Sequence, residues 1–389
     1  MIRFSTITGF FAAFLTVACG GRSASLDDFD RTEYAPSHAS GFEILASDNS
    51  PSTMLRVFDP WQGAEGFEQR VFLSRDGEKA PAGFSGQIVR TPARRIVCMS
   101  SSHVAMLEAV GEDSRIVGVS GIDYISNRYV NEHRRCGEVR DVGYDSNLDF
   151  ELLTAMRPDA VLIYGVAGEN RQLTAKFEQT GIPYVYIGDY LEQSPLGKAE
   201  WMRVAAEITD CGTKADSLFC DICNRYASVA ADVARHTAGQ HEDVVTLPRV
   251  LLNTPYRDTW FMPSAMSYMV RLIRDAGGDT YTPNDETTAS MPVEMETAYM
   301  LAADADVWLN VGFCTTLAEL TAQNPRFADI PPVREGRVYN NNARSTPAGG
   351  SDFWESGVVH PDIVLRDLAK ILHPELYPDD ELYYYRQLK

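Results

Sequence analysis

The sequence has no Lys/Arg-rich stripe: 35 basic residues stand against 54 acidic ones in 389 positions, a formal charge of −19. So acidic a surface repels phosphate backbones, which argues against nucleic acid as a partner. Repeated apolar runs of bilayer length are missing, so the chain is no multispanning membrane protein. Cysteine is scarce, seven in all, too few for a disulfide-built scaffold. A Gly-x-Ser-x-Gly nucleophile elbow is absent as well. What is present is 44% apolar and 23% charged, which excludes disordered and collagen-like chains. The length suits two or three globular domains.

The first residues carry an export pattern. Arg3 is the only charge before Cys19, and 10–17 form an apolar core too short to span a bilayer. Ala18-Cys19-Gly20 closes it. The arrangement resembles a bacterial lipoprotein signal, cut before Cys19 and then acylated on the Cys19 sulfur. It departs at Thr16, where such signals usually carry Leu. A plain secretory signal with an incidental cysteine is the other reading. The lipoprotein reading makes 1–18 a signal peptide and places the mature chain in the periplasm or at the cell surface, touching membrane through its lipid anchor only. Residues 19–40, small, polar and acidic, read as a flexible tether. Cys220-Asp221-Ile222-Cys223 has CxxC spacing but lies in a helical pattern with no second pair. It reads as helix, not as a redox or zinc motif.

Residues 41–93 hold short β-like runs at 42–45, 54–58, 70–73 and 87–90, separated by turn signals such as Asp59-Pro60 and Asp76-Gly77. This predicts a small antiparallel preface. Over 94–194, apolar strand runs alternate with helical stretches, the pattern of a parallel sheet covered on both faces. Residues 195–238 are almost all helical pattern, broken near Asp210-Cys211-Gly212. The strand–helix rhythm restarts over 248–389. The predicted fold class is α/β: two Rossmann-like lobes joined by one long helix, behind an N-terminal antiparallel β preface. The lobes show a faint repeat. Glu151 precedes Asp159-Ala160 and a strand, and Glu296 precedes Asp304-Ala305 and a strand at the same spacing. Duplicated architecture and chance both produce such a match.

This layout resembles the helical-backbone substrate-binding proteins of ABC importers, which deliver iron–siderophore complexes, haem or cobalamin. Local motifs agree. Arg95-Ile96-Val97-Cys98-Met99-Ser100 resembles the opening strand. Phe150-Glu151-Leu152-Leu153 with Arg157-Pro158-Asp159-Ala160-Val161 resembles the Glu-helix and the strand after it. Asp275-Ala276-Gly277-Gly278 resembles the turn after the first helix of the second lobe. The resemblance implies a monomeric, non-enzymatic protein with no cofactor. It would capture an iron chelate (siderophore or haem) between its lobes and pass it to an ABC permease and ATPase complex. Cobalamin is the alternative cargo. Glu151 and Glu296 would dock on permease arginines, one per lobe. An exported α/β hydrolase and a surface adhesin are the readings from other classes.

Ligands of open α/β sheets bind outside the carboxyl ends of the strands. That rule nominates Ser101, Ser102 and His103 after the first strand, Asp123 and Tyr124 after the second, Tyr144 before the Glu151 helix, and Tyr164 after the next strand. The second lobe supplies Trp260, Arg344, Phe353 and Trp354. The resemblance gives Tyr144 and the Phe353-Trp354 loop the role of packing on ligand. Ordinary loop packing is the other reading of each aromatic, and a solvated loop arginine that of Arg344. Ser100 to Ser102 read as helix caps ahead of any catalytic role. The seven histidines are scattered and only His103 lies at a cleft loop, which disfavours a three-His metal site for the cargo.

Overall fold

The computed structural model describes residues 24–165, 168, 170–239, 247–284 and 286–389. The export pattern and Cys19 lie outside them. Among the described residues no helix is long and apolar enough to cross a membrane.

Five strands make the preface: β1 (Arg31–Tyr34), β2 (Phe42–Ser47), β3 (Ser50–Phe58), β4 (Glu68–Ser74) and β5 (Gln87–Arg90), paired in that order. Neighbours are antiparallel except that β5 runs parallel to β4. The expected tether ends early, because β1 lies inside it. A non-local contact fixes the stretch that follows. The buried Glu200 carboxylate accepts the main-chain N–H groups of Ser37, His38 and Ala39 at 2.7–2.8 Å. Glu192 does the same for Ser40 and Gly41.

The first lobe is built on β6 (Ile96–Cys98), β7 (Ile116–Val119), β8 (Arg140–Asp141), β9 (Ala160–Ile163) and β10 (Tyr184–Tyr186). They form one parallel sheet in the order β10-β9-β6-β7-β8. Its central strands are apolar at successive positions because helices cover both faces. The edge strand β10 is closed by the preface. The Gln69 side-chain amide donates to Tyr184 O and accepts from Tyr186 N, and Gln87 accepts from Tyr184 N. Two glutamine side chains thus cover an edge that would otherwise invite another strand.

Three helices connect the lobes: Pro195–Glu200, Met202–Thr209 and Gly212–Ala238. Asp210, at φ 63°, breaks the second from the third. The last has 27 residues, about 40 Å at 1.5 Å per residue. Ala215, Phe219, Ile222, Tyr226, Val229 and Val233 are its buried face, at helical spacing. The second lobe holds β11 (Val250–Leu252), β12 (Trp260–Met262), β13 (Met291–Val293), β14 (Val307–Leu309), β15 (Val338–Asn340) and β16 (Arg386–Gln387). Its main sheet runs β11-β14-β15-β16 with only β16 antiparallel, and β12 pairs with β13 separately. The helix Pro361–Leu372 closes it against the long connecting helix.

Candidate functional site

The lobes meet where loops beyond strand ends come together. Ser101, after β6, donates its hydroxyl to the carbonyl of Trp354 at 3.2 Å. Gly350, beyond β15, lies on the main chain of Tyr124, beyond β7. A Cβ at position 350 would stand 2.0 Å from the Tyr124 carbonyl oxygen, so only glycine fits. Glu355 fastens the seam from within. Its carboxylate accepts the main-chain N–H groups of Ser126 at 2.6 Å and Asn127 at 2.7 Å, at the start of the helix Arg128–His133. Burial pushes its pKa up to about 8 against the pull of those two bonds.

Aromatic rings run across this seam. The Tyr144 hydroxyl covers Gly121, and Tyr124 follows three residues on. Gly350 and Gly349 continue the line into the second lobe, where the Phe313 ring lies over Gly349. Tyr124, Tyr144, Trp354 and Phe313 are 50%, 49%, 47% and 86% exposed. Rings that open to solvent around one seam are a surface built for contact. Next to them lies a groove of about 810 Å³ between Ser126, Arg134 and Arg135 of the first lobe and 343–348 of the second. Arg134 pairs with Asp123. Arg344 pairs with Asp352 at 2.7 Å and stacks over Tyr383. Among the described residues Arg135 has no carboxylate partner.

The structure therefore brings Ser101, Asp123, Tyr124, Tyr144, Arg344 and Trp354 to the seam. Tyr164 is half-buried, its ring 6.3 Å from that of His103. Four nominated side chains instead turn inward. Ser102 contacts the Ser100 hydroxyl in the first helical turn. His103 is fully buried and donates Nδ1–H to Leu162 O at 3.1 Å; burial lowers its pKa to about 3, so it stays neutral. Trp260 donates to Leu252 O and packs on Trp308 and Phe327. Phe353 packs under Trp354, against Tyr384 and Tyr385. Position after a strand selects the loop but not which way each side chain turns. In β12 the outward residue is Phe261, not Trp260. Two exposed residues escaped the sequence reading, Tyr256 beyond β11 and Phe313 beyond β14. The strand-end rule, applied to those two strands, finds both.

Glu151 and Glu296 occupy the second position of their helices, Phe150–Met156 and Met295–Ala303, and both are exposed. The repeat is thus matched at the helix starts, but the strand register needs correction. Asp159 accepts the N–H groups of Arg94 and Arg95 beside β6, and Asp306 accepts that of Arg249 beside β11. The counterpart of Asp159 is Asp306, not Asp304, because the second helix has nine residues and the first seven.

The family model described as periplasmic binding protein matches residues 96–344. A chain named as an uncharacterized lipoprotein of Methanocaldococcus jannaschii is 26% identical over 354 residues, 85% of this chain and 80% of that one. Among solved structures, a periplasmic haem-binding protein from Pseudomonas aeruginosa superposes with a TM-score of 0.56 at 18% identity, over 76% of this chain and 98% of that one. The periplasmic vitamin B12-binding protein of Vibrio cholerae gives a TM-score of 0.50 at 14% identity, over 74% and 99%. With two lobes, a helical link and an interlobe seam of open rings, this chain belongs to the periplasmic binding protein family and is a substrate-binding protein, not an enzyme.

Proposed function

We propose that this protein captures an iron chelate, haem or a ferric siderophore, in its interlobe cleft and delivers it to an ABC permease. One observation carries the reading: exposed rings from both lobes border the seam beside an arginine-bearing groove. Flat rings suit the faces of a macrocycle or catecholate. Arg135 and Arg344 suit carboxylates on its rim. The names of the solved relatives, one for haem and one for vitamin B12, support the same cargo class. Cobalamin is the second reading, favoured by the exposed Tyr144 face.

Haem, ferric siderophores and cobalamin are titrated separately into the mature protein, with quenching of tryptophan fluorescence as readout. Saturable binding of haem or a ferric siderophore, weakened about tenfold or more by Tyr124→Ala with Trp354→Ala, is the expected outcome, and saturable binding of cobalamin alone selects the second reading. No saturable binding by any of the three would sink the proposal. Glu151 and Glu296 then serve as the two docking carboxylates on the permease. Charge complementarity at such exposed sites steers encounter and fixes register. Glu151→Arg with Glu296→Arg should leave cargo affinity intact and abolish uptake in cells. Normal uptake by the double variant removes the docking role. Acylated Cys19 would hold the chain at the membrane, and Cys19→Ser should release it as soluble protein.

A further inference from the structure

We propose that His236, His373 and Glu375 form a divalent transition-metal site on the second lobe, on the side away from the cargo cleft. His236 stands in the last turn of the long connecting helix, His373 caps the end of the closing helix Pro361–Leu372, and Glu375 follows just after. One ligand atom from each lies within 4.8 Å of the other two. His236 Nε2 is already 2.7 Å from a Glu375 oxygen, and the two imidazole rings are 5.2 Å apart.

The His373 ring is built in. It is 4% exposed, and its Nε2 donates to the carbonyl of Gly277 at 3.2 Å. A backbone bond of this kind fixes the orientation of metal-ligating imidazoles. Gly277 has φ 74°, and a Cβ there would meet His373 Nε2 at 2.6 Å, so the turn leaves room for the ring only as glycine.

Two imidazole nitrogens and one carboxylate oxygen select Zn²⁺ and its neighbours over Ca²⁺ or Mg²⁺, which take oxygen ligands. Three protein ligands leave the fourth tetrahedral position to water. Bonds of about 2.0–2.1 Å set tetrahedral ligand atoms about 3.4 Å apart, so the His236–Glu375 pair has to open from 2.7 Å to admit the ion. The Glu375 side chain is 56% exposed and supplies that movement. The site cannot hold cargo for the cleft. Gly277 to Asp279 lead to the amino end of β11, where Val250 N donates to Asp279 O, whereas the cleft lies beyond the carboxyl ends. A bound ion would clip the far end of the connecting helix to the end of the closing helix.

Untagged mature protein, stripped with chelator, is titrated with Zn²⁺ by calorimetry and with Co²⁺ in the visible. The expected result is one equivalent of Zn²⁺, a raised melting temperature, and Co²⁺ d–d bands without a thiolate charge-transfer band. His236→Gln and Glu375→Gln alter partly exposed side chains, and each should abolish the saturable Zn²⁺ step while leaving the circular dichroism spectrum unchanged. Absence of Zn²⁺ binding by the unaltered protein overturns the site. So does full binding by both variants, or a thiolate band that puts the metal on Cys220 and Cys223.

Discussion

Glu355 joins the lobes with a carboxylate that prefers to be neutral. Its folded pKa of about 8 lies above the ordinary carboxylate value of about 4.3 expected in the unfolded chain. Its contribution to stability is therefore full below the unfolded value and is lost as pH rises through about 8. Burial raises Asp367 to about 6, and the same sign applies there over a lower window. Denaturation midpoints should fall as pH rises from about 4, steeply to about 6 and then in a later, shallower step that ends near 8, and Glu355→Gln should abolish the later step and flatten the earlier one. A later step of unchanged size in that variant would assign it elsewhere. Gly350→Ala should lower the melting temperature and weaken cargo binding, since its Cβ has to push the Tyr124 carbonyl away. At this scale the site was legible in part. Tyr124, Tyr144 and Trp354 were found as aromatics of strand-end loops. His103, Trp260 and Phe353 were not separable from them, because partners such as Leu162 O and Leu252 O are set by the fold and leave no local signal.

The strands of both lobes were legible because burial on both faces makes them continuous apolar runs, short of polar interruptions. The two-residue β8 and β16 and the short pair β12–β13 gave no such run. The helical connection was legible from its 3.6-residue spacing. The preface joint was not, since its fastenings are single polar side chains far apart in sequence. Gln69 shows what one of them contributes. Gln69→Leu removes both of its bonds to β10 at a buried position. It should destabilise the protein by about 1–3 kcal/mol, read as a lower urea midpoint. An unchanged midpoint would mean the preface does not support the first-lobe sheet.

The whole molecule is two lobes held by a 27-residue helix and by direct contacts at Glu355, Ser101 and Gly350. Hinge closure around ligand is common among binding proteins with flexible links, but here the link is stiff and the seam already touches. Small-angle scattering curves with and without cargo should nearly superpose, and a large compaction on binding would show that the helix bends. Such stiffness has a consequence for traffic at the transporter. If the helix holds the two lobes at one separation and Glu151 and Glu296 dock as proposed, they are the jaws of a locked caliper, and cargo cannot change the gap between them. The permease would then have to recognise loading by touching the cleft itself. Empty protein should accordingly compete with loaded protein for the same transporter, slowing uptake when it is in excess.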